Sequence, residues 1–378
     1  MKSLETAMMA FCKANEWEKA FQCVELEWKE SKNYRLVATF RDMVRSSVTE
    51  KTLKLYRASY DLTARDVFDD FMLALEWNRP AEEQFWLPRR DKLKGVCEAL
   101  QSLEEGKLDE LFLSLPPRVG KTTLILFFLL WVMLRDSERS NLYSSYTESV
   151  VNTFYGGLIE ILDDPYTYRW KEIFPGSCVA STNAKDNLLN LDRKKRYASL
   201  TARSLYGTLN GACDCNGYLI GDDLHSGIEE ALNKALLDKA WGRVTNNLIP
   251  RAKEGAKLLW IGTRWSLYDC IARRIELLQH DPSFERRRFK VFNLPALDED
   301  EHSNFEYLYG VGFSADHYKR IRATFERSDD IASFLAQYMG EPVERAGTLF
   351  DPSVMRYFNG VLPTDVEPDK IFMTVDPA

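Results

Sequence analysis

Apolar residues recur every three or four positions in the N-terminal part of the chain, as in Glu16 to Lys29 and Thr63 to Trp77, where Phe, Leu and Val alternate with charges. That spacing predicts amphipathic helices, with Asp61 and Thr63 as caps of the second. The pattern then changes. Glu110 to Leu115 reads as an apolar strand; two prolines and a glycine follow, and a long apolar helix opens at Lys121. Asn141 to Tyr146 predicts a second strand, followed by a helix over Ser149 to Leu162 with Val150, Phe154 and Leu158 on one face. Two further strands are expected at Gly217 to Gly221 and Lys257 to Gly262, each ending in polar residues before another helical stretch. Alternating strands and helices imply an α/β fold, a mainly parallel sheet covered by helices on both faces, with a ligand site at the carboxyl ends of the strands.

Two regions depart from this rhythm. Pro175 to Arg203 is polar, fits neither period and contains the basic run Arg193-Lys194-Lys195-Arg196. Beyond residue 290, Leu294-Pro295-Ala296 enters an acidic loop at Asp298 to Glu301, then a helix carrying Arg320, Arg322 and Arg327; Ile371 to Asp376 reads as a strand ending in a carboxylate. No internal repeat or low-complexity tract is present.

Composition narrows the class. Over 378 residues, 45% are hydrophobic and 28% charged, which fits a globular chain and excludes disordered, collagen-like and disulfide-stapled classes. Fifty Lys and Arg against 57 Asp and Glu leave a net charge of -7, so any nucleic-acid contact must come from local basic patches. Seven scattered cysteines and an N-terminus without a basic-then-apolar leader point to a reducing, cytoplasmic setting. Cys213 and Cys215 stand one residue apart without a second pair, too few for a tetrahedral metal site. The longest apolar run, Leu124 to Leu134, is about half of the roughly 20 residues that span a bilayer, so no membrane segment is expected.

The chemistry is concentrated at strand ends. Leu115-Pro116-Pro117-Arg118-Val119-Gly120-Lys121-Thr122-Thr123 contains the Gly-Lys-Thr core of a phosphate-binding loop, with Leu115 in place of the first glycine of the full pattern. Gly120 lets the backbone close round a phosphate, amides at the start of the next helix face the anion, Lys121 supplies a point charge and the Thr122 hydroxyl suits Mg²⁺. Pro117, Arg118, Val119 and Thr123 complete the expected nucleotide contacts. A second strand ends in Asp222-Asp223: Asp222 suits the metal, Asp223 the attacking water, although an Asp is one methylene shorter than the more usual Glu. A third ends in Gly262-Thr263-Arg264-Trp265, where the Thr263 hydroxyl is placed to sense a terminal phosphate; taken alone, each strand end is also an ordinary capped turn. Arg118, Arg203, Arg243 and Arg264 are the candidates for stabilising charge on a transferring phosphoryl group, and His225 follows the acidic pair as a surface or supporting histidine.

In this order the parts resemble the large terminase subunit of tailed double-stranded DNA phages, the ATPase that drives genome packaging. The resemblance rests on Pro116-Pro117-Arg118-x-Gly120-Lys121-Thr122, Asp222-Asp223 and Gly262-Thr263-Arg264-Trp265 with Asp269. It extends to Thr208-Leu209-Asn210-Gly211-Ala212, to Asn293-Leu294-Pro295-Ala296, to Gln337-Tyr338 and to Gly347-Thr348-Leu349-Phe350, and runs from about Phe85 to the end of the chain. It implies an additional-strand P-loop NTPase with ATP and Mg²⁺ as cofactors, an ATPase core over 85–290, a linker or lid over 291–368, and at 369–378 the first strand of a ribonuclease-H-like nuclease, behind the α-helical N-terminal extension over 1–84 that the amphipathic pattern predicts. By the same resemblance Arg118 is the loop arginine, Asp223 the catalytic carboxylate, and Thr263 part of the motif coupling hydrolysis to DNA movement. Asp376 matches the first nuclease carboxylate; a two-metal site needs more ligands than that, so nuclease activity is not expected. The chain departs from the family at Leu209, Asn210 and Ser266, which removes no phosphate ligand but leaves an arginine acting between subunits unidentified. Implied partners are double-stranded DNA, the terminase small subunit, the portal and further copies of the chain in a ring, with a monomer in isolation; the implied setting is the cytoplasm of an infected bacterium. DNA contact is expected at Arg193, Lys194, Lys195 and Arg196, with Arg286-Arg287-Arg288 as a further patch. A helicase-like or other DNA-remodelling NTPase is the alternative, disfavoured by the lack of a second such domain after residue 270; a small-molecule kinase and a nucleotide-binding scaffold are the others.

Overall fold

Burial on both faces dictates the centre of the molecule. The computed structural model describes residues 2–343 apart from Asn210 and Ala212; the expected nuclease strand and Asp376 lie outside the described residues. Helices α1 (Lys2–Lys13), α2 (Trp17–Ser31), α3 (Tyr34–Arg45), α4 (Glu50–Ala64), α5 (Phe68–Leu75) and α6 (Trp86–Glu104) precede the sheet. Then come β1 (Glu110–Ser114), α7 (Lys121–Arg135), β2 (Asn141–Ser145), α8 (Glu148–Asp163), α9 (Trp170–Ile173), β3 (Val179–Asn183), β4 (Leu188–Leu191), β5 (Leu200–Ser204) and β6 (Tyr218–Asp222). The series closes with α10 (Ile228–Ala231), α11 (Lys234–Arg243), β7 (Lys257–Ile261), α12 (Cys270–His280), β8 (Phe289–Asn293), α13 (Ala315–Arg327) and α14 (Ile331–Phe334).

The eight strands form one sheet in the order β3-β4-β5-β2-β6-β7-β1-β8. From β5 to β8 every pairing is parallel, while β3 and β4 join antiparallel at one edge. Strands β1, β2 and β6 are buried at every position, as parallel strands covered on both faces must be. Alternate residues feed separate cores. Leu111, Leu113, Tyr143, Ile220 and Leu259 face α5, α6 and α7, whereas Phe112, Leu142, Leu219 and Trp260 face α11 and α12. Helix α7 is buried at every position from Leu124 to Leu134, the all-round apolar character of a central helix. A third core, from Met8 to Val44, belongs to α1, α2 and α3.

The helix expected over Thr63 to Trp77 divides instead. Helix α4 ends at Ala64 and α5 starts at Phe68, so neither Asp61 nor Thr63 is a cap. Thr63 donates to the Asp70 carboxylate, which also takes two hydrogen bonds at 3.0 Å from buried Arg41, and Asp61 pairs with Arg169. Thr49 caps α4 through the amide of Thr52. The polar region 175–203 resolves into β3, β4 and β5, and β8, unassigned from the sequence, adds an exposed edge strand.

Candidate functional site

Three strand ends meet at the carboxyl edge of the sheet. After β1 the chain turns through Pro117 to Gly120, with Arg118 at φ 64° and Gly120 at φ 99°, both left-handed. At Gly120 a Cβ would lie 2.7 Å from the Phe85 ring, so space as well as conformation requires glycine. The first helical bond of α7 runs from the Leu124 amide to the Gly120 carbonyl at 3.0 Å. The amides of Lys121, Thr122 and Thr123 therefore precede the helical ladder and are available to an anion. Lys121 is buried, an unusual place for an ammonium: Nζ donates to the Leu115 carbonyl at 3.0 Å and to Thr263 Oγ1 at 3.2 Å, and lies 3.9 Å from Asp223 Oδ1.

The two aspartates differ in role by position. Asp222 ends β6 beneath the surface, where Tyr143 donates to Oδ2 at 2.8 Å and Oδ1 has no hydrogen bond of good geometry. Burial, then the neighbouring Asp223 charge, push its pKa up to about 7 against the opposing pull of the Tyr143 hydroxyl, Lys121 and Thr122. Asp223 has left the strand in a left-handed conformation, φ 42°. Its amide donates to the Ile261 carbonyl at 2.9 Å, its carbonyl accepts from the Tyr146 amide at 3.3 Å, and Oδ1 accepts from the Thr263 amide at 3.1 Å. Gly262 makes room for this: a Cβ there would sit 3.1 Å from Asp223 Oδ1.

Pro117, Arg118, Gly120, Lys121, Thr122 and Thr123 line an open cleft of about 420 Å³ together with Asp223 and Thr263; Tyr146, His225, Ser226 and Trp265 complete its wall. Val119 points away and is buried, and its carbonyl accepts from the Tyr307 hydroxyl at 3.2 Å. Behind Gly120, the Arg89 guanidinium lies 4.6 Å from the Phe85 ring centre and 5.1 Å from that of Tyr307. Asp222 lies below the cleft, and its unsatisfied Oδ1 beside the Thr122 hydroxyl suits a hydrated divalent cation. Among the described residues no cluster of three or more His, Cys, Asp or Glu forms a cage for a metal.

Of the four candidate arginines, Arg118 is the exposed one lining the cleft. Arg203 pairs with Asp186 at 3.2 Å, and Arg264 with Asp269 at 3.2 Å. Arg243 lies in the last turn of α11, outside the cleft lining. The basic run is elsewhere. Strand β4 is antiparallel to β5, so the loop after it emerges where the parallel strands begin, at the opposite edge. There exposed Arg193 pairs with Glu138 and Lys195 donates to the Ser137 and Arg139 carbonyls, whereas Lys194 and Arg196 are exposed and have no ion pair among the described residues. Arg287 and Arg288 are spent on Glu110 and Asp109. Tyr143, Tyr146 and Ser226 join the site from positions with no sequence signal beyond their neighbourhood to a strand end, and Trp265, from the Gly262–Trp265 stretch, forms part of the cleft wall.

No protein-family model matches the chain, and no curated protein matches it. Among solved structures it is similar to a Thermus phage P74-26 large terminase ATPase domain, the R139A mutant, at 15% identity and a TM-score of 0.41, over 65% of this chain and 93% of that one. No helix among the described residues is long and apolar enough to cross a membrane.

Proposed function

We propose that this chain is an ATP-hydrolysing motor that moves double-stranded DNA, of the kind that packages phage genomes as the large terminase subunit. The observation that carries the hydrolytic half is the meeting at Lys121 of residues from three strand ends: its ammonium touches Thr263 and lies 3.9 Å from Asp223, above buried Asp222. Strand β7, carrying Thr263 beyond its end, stands between β1 and β6, which supports the additional-strand arrangement of a P-loop NTPase.

Each group then has a task. The loop amides and Lys121 hold the terminal phosphates of ATP, and Thr122 with Asp222 hold Mg²⁺, which neutralises charge on the phosphates when bound. Asp223, fixed by the Thr263 amide, orients the attacking water and takes its proton. Arg118, exposed in the loop and without an ion pair among the described residues, is placed to meet negative charge on the transferring group. Thr263, bonded to both Lys121 and Asp223, is placed to register loss of the terminal phosphate. DNA movement is the family's use of this cycle, and backbone contacts that ignore sequence suit it.

The test is phosphate release from ATP with Mg²⁺, with and without long duplex DNA. Lys121→Ala and Asp223→Asn should each lower turnover by roughly 100-fold or more, with Asp223→Asn still binding Mg²⁺ and ATP. Turnover unchanged in both variants would refute the ATPase; turnover indifferent to duplex DNA would refute the DNA motor.

A further inference from the structure

His225 lines the cleft, yet its ring is committed elsewhere. It is 7% exposed, Nδ1 lies 2.9 Å from Glu230 Oε1, and Nε2 accepts from the Cys270 amide at 3.0 Å. A backbone amide only donates, so Nε2 carries the lone pair and the proton sits on Nδ1, facing the carboxylate. Glu230 is fixed in turn: the Ser226 amide and hydroxyl both reach Oε2 at 2.9 Å. Burial pushes the Glu230 carboxyl up, but the His225 and Ser226 hydrogen bonds outweigh it and hold the group below the usual range.

Cys270 opens α12, and the amide of a first helical residue has no helical acceptor. Asp269 caps the same turn, accepting from Ala272 at 2.7 Å through Oδ1 and from Arg264 and the Ser266 amide through Oδ2. The first turn of α12 is thus closed by its own Asp269 and by a histidine from the loop after the acidic pair. Among the described residues, two side-chain hydrogen bonds join that loop to the stretch after β7: Asp223 to the Thr263 amide and His225 to the Cys270 amide.

We propose that His225 is a positioning residue for turnover: by fastening the 223–230 loop to the first turn of α12, it keeps Asp223 in its left-handed backbone with the carboxylate on the Thr263 amide. The proposal rests on the ATPase reading of the cleft. With both ring nitrogens engaged by Glu230 and the Cys270 amide, His225 acts through the orientation of Asp223. The left-handed conformation of a non-glycine residue is costly, so it persists only where the surroundings hold it.

Two substitutions of like size separate this role from simple filling of space. His225→Gln offers a side-chain oxygen near the place of Nε2 and keeps an acceptor for Cys270. His225→Asn keeps a donor near Nδ1 for Glu230 and loses that acceptor. With steady-state hydrolysis, binding of a non-hydrolysable ATP analogue with Mg²⁺, and hydrogen exchange at residue 270, the Asn variant should lose about tenfold or more in kcat, bind the analogue within about threefold of the parent, and exchange the Cys270 amide faster. The Gln variant should retain kcat within about threefold and keep the amide protected. Parent-like kcat in the Asn variant, equal losses in both variants, or a loss of affinity with kcat intact overturns the proposal while leaving the ATPase standing. A parent chain that neither binds nor hydrolyses ATP removes the ATPase reading itself, and the positioning role with it.

Discussion

Asp222 is where burial and charge collide at the level of a single residue. Its pKa of about 7 in the folded chain stands above an ordinary value of 3.8, so between these the native state binds more protons than the unfolded one. The sign follows: the stability contribution is fully present below about pH 4 and is lost as pH rises through about 7, on the order of a few kcal/mol. Urea unfolding of the parent and of Asp222→Asn should show the Asn variant gaining in relative stability as pH rises from 5 to 8, with Mg²⁺ and ATP restoring the parent at the upper end. A stability difference that does not grow with pH would contradict this. At this scale the site was partly legible. Lys121, Asp223 and Thr263 stand at strand ends in residue types that phosphate chemistry requires. The Tyr143 hydroxyl on Asp222 was not, because the contact spans neighbouring strands and nothing in the residues around Tyr143 marks it.

Between elements, Glu110 does for β1 what no loop motif announces. It opens the strand that leads into the 117–120 loop, is fully buried, and accepts from Trp260 on β7 at 2.6 Å, from Arg274 on α12 at 2.8 and 3.0 Å, and from Arg287 before β8 at 2.9 Å. Removing the carboxylate strands two guanidinium groups, so Glu110→Ala should destabilise by about 3–5 kcal/mol, and Glu110→Gln by less. The midpoint of denaturant unfolding measures both; equal midpoints for parent and Ala variant would show that the network contributes nothing. The same element explains a limit of sequence reading. Arg286-Arg287-Arg288 looks like a surface patch, yet Arg287 turns inward to a residue far away in sequence. The central parallel strands β1, β2, β6 and β7 were legible from their apolar runs between helices; β5, which mixes Thr, Arg and Ser into a buried strand, the antiparallel β4, and the edge strands β3 and β8 were not, since exposed edges mix polar with apolar residues.

For the whole molecule, sheet direction separates the two charged features. The cleft opens at the carboxyl edge and the 193–196 run emerges at the other, where Arg193, Lys194 and Arg196 are exposed and Arg193 is paired with Glu138. If the run meets duplex DNA, Lys194→Ala with Arg196→Ala should weaken binding, lower the salt slope by roughly 2, and leave basal ATP turnover within about twofold. An unchanged salt slope would exclude the run from the DNA track; a collapse of basal turnover would deny the separation. One contact crosses this geography. Tyr307, from the segment beyond β8, hangs its hydroxyl on the Val119 carbonyl, and its ring backs the guanidinium stacked behind Gly120. A displacement of that segment therefore reaches the 117–120 loop directly, through this hydrogen bond and this stack and through the core the two share, with no slack chain between. Seen as a machine, the fold has a short crank joining that segment to the loop, so that a displacement at one end is carried to the other.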